Sequence, residues 1–234
     1  MSLLKVEHIS TGYDKKQVLF DVSLEIKDNE SILLVGSNGS GKSTLFKAIY
    51  GLLDIWSGTV EFENEILHTT KLKTQPSKLI TKKLMYIPQK NELYDDLSVA
   101  ENLKFSLLHL DNKTETQNRL EDVFTKLPVL KEKYKQTADR LSGGERKMLS
   151  LGMVLANKPK LLLYDEPLAG LSSLNVELVV HWLDYLKQNG TTLVLVEHRI
   201  KELFNFADKI IGLKLGTLTT ENLNDLENIK QFLV

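Results

Sequence analysis

Apolar and polar positions change rhythm several times along the chain. Residues 3–9 alternate loosely and predict a strand, and residues 18–26 alternate more clearly, as a half-buried antiparallel strand would. Residues 31–35 are apolar nearly throughout and predict a buried strand. Residues 45–50 then predict a helix closed by Gly51 at its C-cap. Residues 57–64 read as a turn leading into another strand, and residues 84–88 as a short buried strand stopped by Pro88. Between these lies the polar stretch 68–83 with Lys71, Lys73, Lys78, Lys82 and Lys83. It predicts a solvated loop in preference to a phosphate-binding patch.

From residue 98 to 157 the period becomes helical. Leu97, Ala100, Leu103, Leu107 and Leu108 recur at about 3.6, as do Leu120, Val123, Phe124 and Leu127. Pro128 interrupts them, and residues 142–156 predict a third helix. Strand signals return at 161–164, 191–196 and 209–215, with helices expected over 174–187, 200–207 and 222–234. Strands alternating with helices predict an α/β fold with a mostly parallel sheet and ligand at the strands' C-terminal ends. One domain over 1–234 is expected, with a helical subdomain inserted at about 90–157.

The junction after the strand at 31–35 carries the clearest chemistry. Gly36, Ser37, Asn38, Gly39, Ser40, Gly41, Lys42, Ser43 and Thr44 fit the phosphate-loop pattern G-x-x-x-x-G-K-[ST] between a strand and a helix. Glycines let backbone N–H groups wrap a phosphate chain at a helix N-terminus. Lys42 would reach the β- and γ-phosphates, and the Ser43 hydroxyl would ligate Mg2+. Asp165 and Glu166 end the strand at 161–164. One carboxylate there can hold Mg2+ opposite Ser43, and its neighbour can orient or deprotonate a water. Ser142 and Glu145 have capping-box spacing. Gly143 and Gly144 between them leave a helix N-terminus bare, which would make a second anion site. Tyr13 either covers a strand edge or offers an aromatic platform to adenine.

Composition narrows the class. There are 30 Lys+Arg against 31 Asp+Glu, so no bulk charge draws the chain to nucleic acid or an anionic membrane, and no nucleic-acid partner is expected. The absence of cysteine rules out disulfides and thiolate chemistry and suits a reducing compartment. No apolar run approaches the roughly 18 residues of a membrane span, and the N-terminus lacks a secretory pattern. A soluble cytoplasmic protein is expected, with membrane contact only through a partner.

With these residues in view, the chain resembles the ABC-type ATPases over nearly its full length. Gly36 to Thr44 looks like their Walker A loop and Gln89 falls at their Q-loop glutamine. Residues 141–145 match the LSGG[QE] signature, and residues 161–165 match Walker B with Glu166 at the catalytic glutamate. His198 matches the switch histidine and Tyr13 the aromatic that stacks on adenine. The resemblance implies a P-loop NTPase of ABC type with an N-terminal antiparallel β subdomain. It implies ATP and Mg2+ as cofactors, with Ser43, Gln89 and Asp165 toward the metal. Glu166, His198, Gln89 and Lys42 are implied as the catalytic set. Two such subunits, identical or not, would close head to tail, each ATP lying between Walker A of one chain and Ser142, Gly143 and Gly144 of the other. Closure would pull on integral membrane subunits through the helical insertion near Gln89, placing the chain on the inner face of the cell membrane. Ser172 stands where the D-loop aspartate is usual, which puts the charged contact across the dimer in question. Tyr164 is bulkier than the aliphatic residue common before the Walker B aspartate.

Within that family, residues 127–134, 148–152 and 166–171 look like those of the branched-chain amino acid importers, a subgroup that often lacks the D-loop aspartate. Lipopolysaccharide-type exporters have similar ATPases, and a soluble ATPase of iron–sulfur cluster assembly is the alternative from another class. Repair and chromosome-maintenance ATPases carry coiled-coil or zinc-bearing insertions. This chain has no cysteine and no sustained heptads to form either.

Overall fold

The computed structural model describes residues 2–90, 92–219, 229, 231 and 232. Two long strands open the chain, β1 (Ser2–Tyr13) and β2 (Lys16–Lys27), followed by the short β3 (Ser31–Val35). Helix α1 (Lys42–Ile49) leads to β4 (Ser57–Phe62), β5 (Glu65–His68), α2 (Pro76–Thr81) and β6 (Leu84–Ile87). Four helices come next: α3 (Val99–Ser106), α4 (Lys113–Lys126), α5 (Pro128–Glu132) and α6 (Gly143–Asn157). The described chain finishes with β7 (Leu161–Asp165), α7 (Ser173–Gln188), β8 (Thr192–Val196), α8 (Ile200–Leu203), β9 (Lys209–Lys214) and β10 (Thr217–Leu218).

The strands form two sheets. One is antiparallel, in the order β2-β1-β4-β5; the other runs β10-β9-β3-β8-β7-β6. Every pairing in the second is parallel except β9 with β10. Its inner strands are buried on both faces, and this is why they read as unbroken apolar runs. Alternate residues feed two cores. Leu33, Val35, Leu162 and Tyr164 face the core shared with α3, α4, α6 and α7. Ile32, Leu34, Leu161 and Leu163 face the core shared with α1 and the antiparallel sheet.

Several expectations need correction. The stretch 68–83 is not a solvated loop throughout. His68 is buried with its Nε2 3.0 Å from the Ile49 carbonyl, and α2 begins at Pro76. Lys73 and Lys82 are paired with Asp54 and Glu65. The helix expected over 200–207 is confined to α8, and the strand expected over 209–215 ends at Lys214, where the chain turns back into β10. The helix expected over 222–234 lies largely outside the described residues.

Candidate functional site

Strand β3 delivers the phosphate loop to the C-terminal edge of the parallel sheet, and α1 continues from it. Gly41 occupies the N-cap position at φ 110°, a left-handed conformation that glycine adopts without strain. No side chain caps this helix and its first turn holds no acid, so its free N–H groups stay open to an anion. At Gly36 a Cβ would collide with the Leu213 carbonyl oxygen and with Ser40 Oγ. Lys42 folds back over the loop, donating to the carbonyls of Gly36 at 2.8 Å and Ser37 at 3.0 Å. Burial lowers the Lys42 pKa, against the opposing pull of Asp165 and Glu166.

Strand β7 ends beside this loop. Asp165 is buried, and its Oδ1 has no hydrogen-bond partner. Burial raises its pKa; the Ser43 hydroxyl beside it works in the opposite direction. An orphaned buried carboxylate oxygen next to a serine hydroxyl fits a hard divalent cation that keeps most of its other ligands as water and phosphate. Among the described residues no cluster of three or more His, Cys, Asp or Glu forms a cage for a metal without such help.

Glu166 follows at φ 53°, a conformation that costs a non-glycine residue about 1–3 kcal/mol. Its N–H donates to the Val196 carbonyl at 2.9 Å, tying it to β8. Its carboxylate accepts from Gln89 Nε2 at 2.6 Å and lies 3.4 Å from His198 Nε2. Gln89 reaches it from the end of β6, where Pro88 stops the strand. Tyr13, at the end of β1, is 42% exposed; its hydroxyl is 3.5 Å from Thr44 Oγ1, and the Lys47 ammonium stands 5.7 Å from its ring centre.

These parts surround a pocket of about 520 Å³ whose walls include Tyr13, Asn38, Gly39, Gly41, Lys42, Ser43, Thr44, Gln89 and Glu166. Gly36, Ser37, Ser40, Asp165 and His198 are not among its lining residues. Ser142, Gly143 and Gly144 do not line it. At the start of α6 the capping-box spacing of Ser142 and Glu145 is realised. Ser142 Oγ accepts from the Glu145 N–H at 3.3 Å and Glu145 Oε2 accepts from the Ser142 N–H at 2.8 Å, a complete capping box. Gly143 is open on its side-chain face, whereas a Cβ on Gly144 would meet Asn175.

One residue close to the site escaped sequence reasoning. Glu197 is 2% exposed. It accepts from the N–H groups of Leu168 at 2.5 Å, His198 at 2.9 Å and Arg199 at 3.1 Å. It thereby joins the segment after Glu166 to the segment that carries His198. The available signal was a carboxylate ending an apolar strand run, the same pattern that marked Asp165.

Three kinds of comparison bear on this geometry. The family model described as "ABC transporter" matches residues 19–169. The high-affinity branched-chain amino acid transport ATP-binding protein BraG of Pseudomonas aeruginosa is 35% identical, the match covering 92% of this chain and 91% of that protein. The probable branched-chain amino acid transport ATP-binding protein LivF of Archaeoglobus fulgidus is also 35% identical, over 92% and 89%. The lipopolysaccharide export ATP-binding protein LptB of Haemophilus influenzae is 29% identical, over 99% and 96%. Among solved structures, a nucleotide-free ATP-binding cassette from an ABC transporter superposes with TM-score 0.82 at 26% identity, over 99% of this chain and 95% of that one. A dimeric cassette in a post-hydrolysis state, bound to ADP and Pi, gives TM-score 0.82 at 25% identity, over 95% and 99%.

Proposed function

Since this chain belongs to the ABC transporter family, as an ATP-binding subunit that hydrolyses ATP to drive transport, we propose that it powers the uptake of branched-chain amino acids. The solute is supported by the two relatives at 35% identity that carry that role. It is supported also by the likeness of residues 127–134, 148–152 and 166–171 to that subgroup.

In this reading Tyr13 stacks on adenine, and the N–H groups from Gly36 to Thr44 cradle the phosphates. Lys42 leaves the Gly36 and Ser37 carbonyls for the β- and γ-phosphates. Ser43, Gln89 and Asp165 hold Mg2+, which when bound neutralises phosphate charge. Glu166 orients the attacking water and takes its proton, while His198 contacts the γ-phosphate. Catalysis is then positioning and charge stabilisation at an otherwise unreactive phosphoryl group.

The single observation carrying the assembly is the separation of the signature residues from the pocket they are expected to complete. Ser142, Gly143 and Gly144 of one chain are outside its own pocket, which supports a place for them at the pocket of a second ATPase subunit. A groove of about 850 Å³ beside Gln89, lined by Met85, Tyr94, Phe105, Leu108 and Met153, suits an apolar segment of the integral membrane subunits. Among the described residues no helix is long and apolar enough to cross a membrane; in this reading the chain reaches the inner face of the membrane through such partners.

The test is affinity purification of tagged Glu166→Gln protein, with ATP, from detergent-solubilised native cells, followed by mass spectrometry. Stoichiometric polytopic subunits, with leucine-stimulated ATP hydrolysis when the same complex is rebuilt with the parent Glu166 chain and the solute-binding component, support the proposal. Membrane subunits of the exporter type would replace the solute, and soluble partners alone would replace transport with cluster assembly.

A further inference from the structure

The helices between β6 and β7 hold one polar cluster to which the catalytic reading assigns no task. Lys147 projects from α6 into the core, and its ammonium meets both oxygens of Glu92 at 3.0 and 3.1 Å. The two side chains are only 7% and 12% exposed. The same ammonium stands 5.3 Å from the Tyr164 ring centre. The Tyr164 hydroxyl, fully buried, is 3.1 Å from Ser150 Oγ on the next turn of α6.

These four residues come from three working segments. Glu92 follows Gln89 in the stretch between β6 and α3 and forms part of the groove wall. Lys147 and Ser150 ride on the helix that Ser142, Gly143 and Gly144 open. Tyr164 directly precedes Asp165 and Glu166 on β7. Around them the core is apolar, with Leu93, Met148, Leu149 and Leu168 among its members. A buried ion pair is a poor way to stabilise such a place, because desolvation offsets the attraction and apolar side chains of similar volume do as well or better. What the pair has that methylenes lack is direction: it defines one angle and one register between the segments it joins.

We propose that Lys147 is a positioning residue which, paired with Glu92 across Tyr164, holds the Ser142 end of α6 in fixed relation to Gln89 and to the Asp165 and Glu166 carboxylates. None of the four lines the phosphate-loop pocket. The inference concerns ties within one chain and stands whatever solute is carried.

The test compares ATP affinity, kcat, KM for ATP and Tm in the double variant Glu92→Leu/Lys147→Met, which removes both charges at similar volume. Tm and the ATP affinity of the isolated chain are expected to hold, while kcat falls about tenfold, the scale on which residues without ligand contact alter coupling. A folded double variant with kcat within about twofold of the parent overturns the proposal. Should the double variant fail to fold, Tyr164→Phe decides, since it removes only the hydroxyl that meets Ser150. A lower kcat at unchanged KM and Tm upholds the proposal, and an unchanged kcat, or a kcat that falls only with Tm, overturns it.

Discussion

Two helices in this molecule start from glycines, and they start differently. At α1 the N-cap is Gly41, with no side-chain cap and no acid in the first turn. At α6 the N-cap is Ser142, with a closed capping box and Glu145 in the first turn. The first terminus leaves its donors and its positive end undischarged, and Lys42 adds a cation beside them. The second has spent one donor on Ser142 and carries a carboxylate, which weakens its pull on phosphate. The contrast assigns unequal shares in binding. In the proposed reading the loop before α1 holds a polyphosphate alone, whereas the start of α6 meets a ligand already held by another chain.

The largest test of that contrast is chemical. Glu166→Gln should retain ATP binding while turnover falls about 10²–10⁴-fold, because only the group that handles the water is lost. Near-parental hydrolysis by this variant would remove Glu166 from its assigned role. Next, Lys42→Ala should weaken ATP binding by about 2–3 kcal/mol in calorimetry, the scale of a charged hydrogen-bonding group. Unchanged binding would mean α1 does not dominate. Ser142→Ala should leave the isolated chain's ATP affinity intact yet lower stability by about 1 kcal/mol through the lost cap. A matching loss of affinity in the isolated chain would erase the distinction between the two termini.

Asp165→Asn tests the floor of the first site. Burial raises the Asp165 pKa, so its ionised form opposes folding at neutral pH, and removing the charge should raise the nucleotide-free Tm by about 2–4 °C while abolishing Mg2+-dependent turnover. A lower Tm would show that the orphaned oxygen has a partner in solution.

The smallest effect concerns the far end of α1. His68, against the Ile49 carbonyl, has its pKa lowered from 6.5, by burial first and by Lys73 to a lesser degree. The folded state therefore favours the neutral ring, and the unfolded chain takes up the proton first as pH falls. The contribution of His68 is complete above about pH 6.5 and is lost as pH falls toward the folded value. Melting curves at pH 7.5 and 5.0 should diverge by about 2 °C more for the parent than for His68→Gln; equal divergence would place the loss elsewhere.

Much of this was legible because it depends on local rules. A glycine pattern between strand and helix, an unbroken apolar strand ending in carboxylates, and serine with glutamate three residues on each carry their geometry in the sequence. The antiparallel pairings were half legible. Strand β5 follows β4 through Glu63 and Asn64, both at positive φ, and β10 follows β9 through Leu215 and Gly216, again both positive. Such paired left-handed residues make the tight hairpin turn, but Glu-Asn and Leu-Gly are not its usual signature. Helix α2 hid among lysines, although Pro76 at its first turn was a start signal. The Lys147–Glu92 pair was illegible for another reason. Its members are distant in sequence, and no local pattern marks a charge whose counterpart the fold supplies.

Strand β3 is held by β9 on one side and β8 on the other, and its side chains enter both apolar cores in turn. It cannot separate from its neighbours without opening both cores, so its amides should exchange with solvent only through global unfolding. The helices α3, α4 and α6 bury their apolar residues in one core alone and can loosen while the other persists. Under mild denaturant the molecule should therefore forget its second chain before it forgets ATP. A partly melted cassette would still take up nucleotide, without being able to spend it.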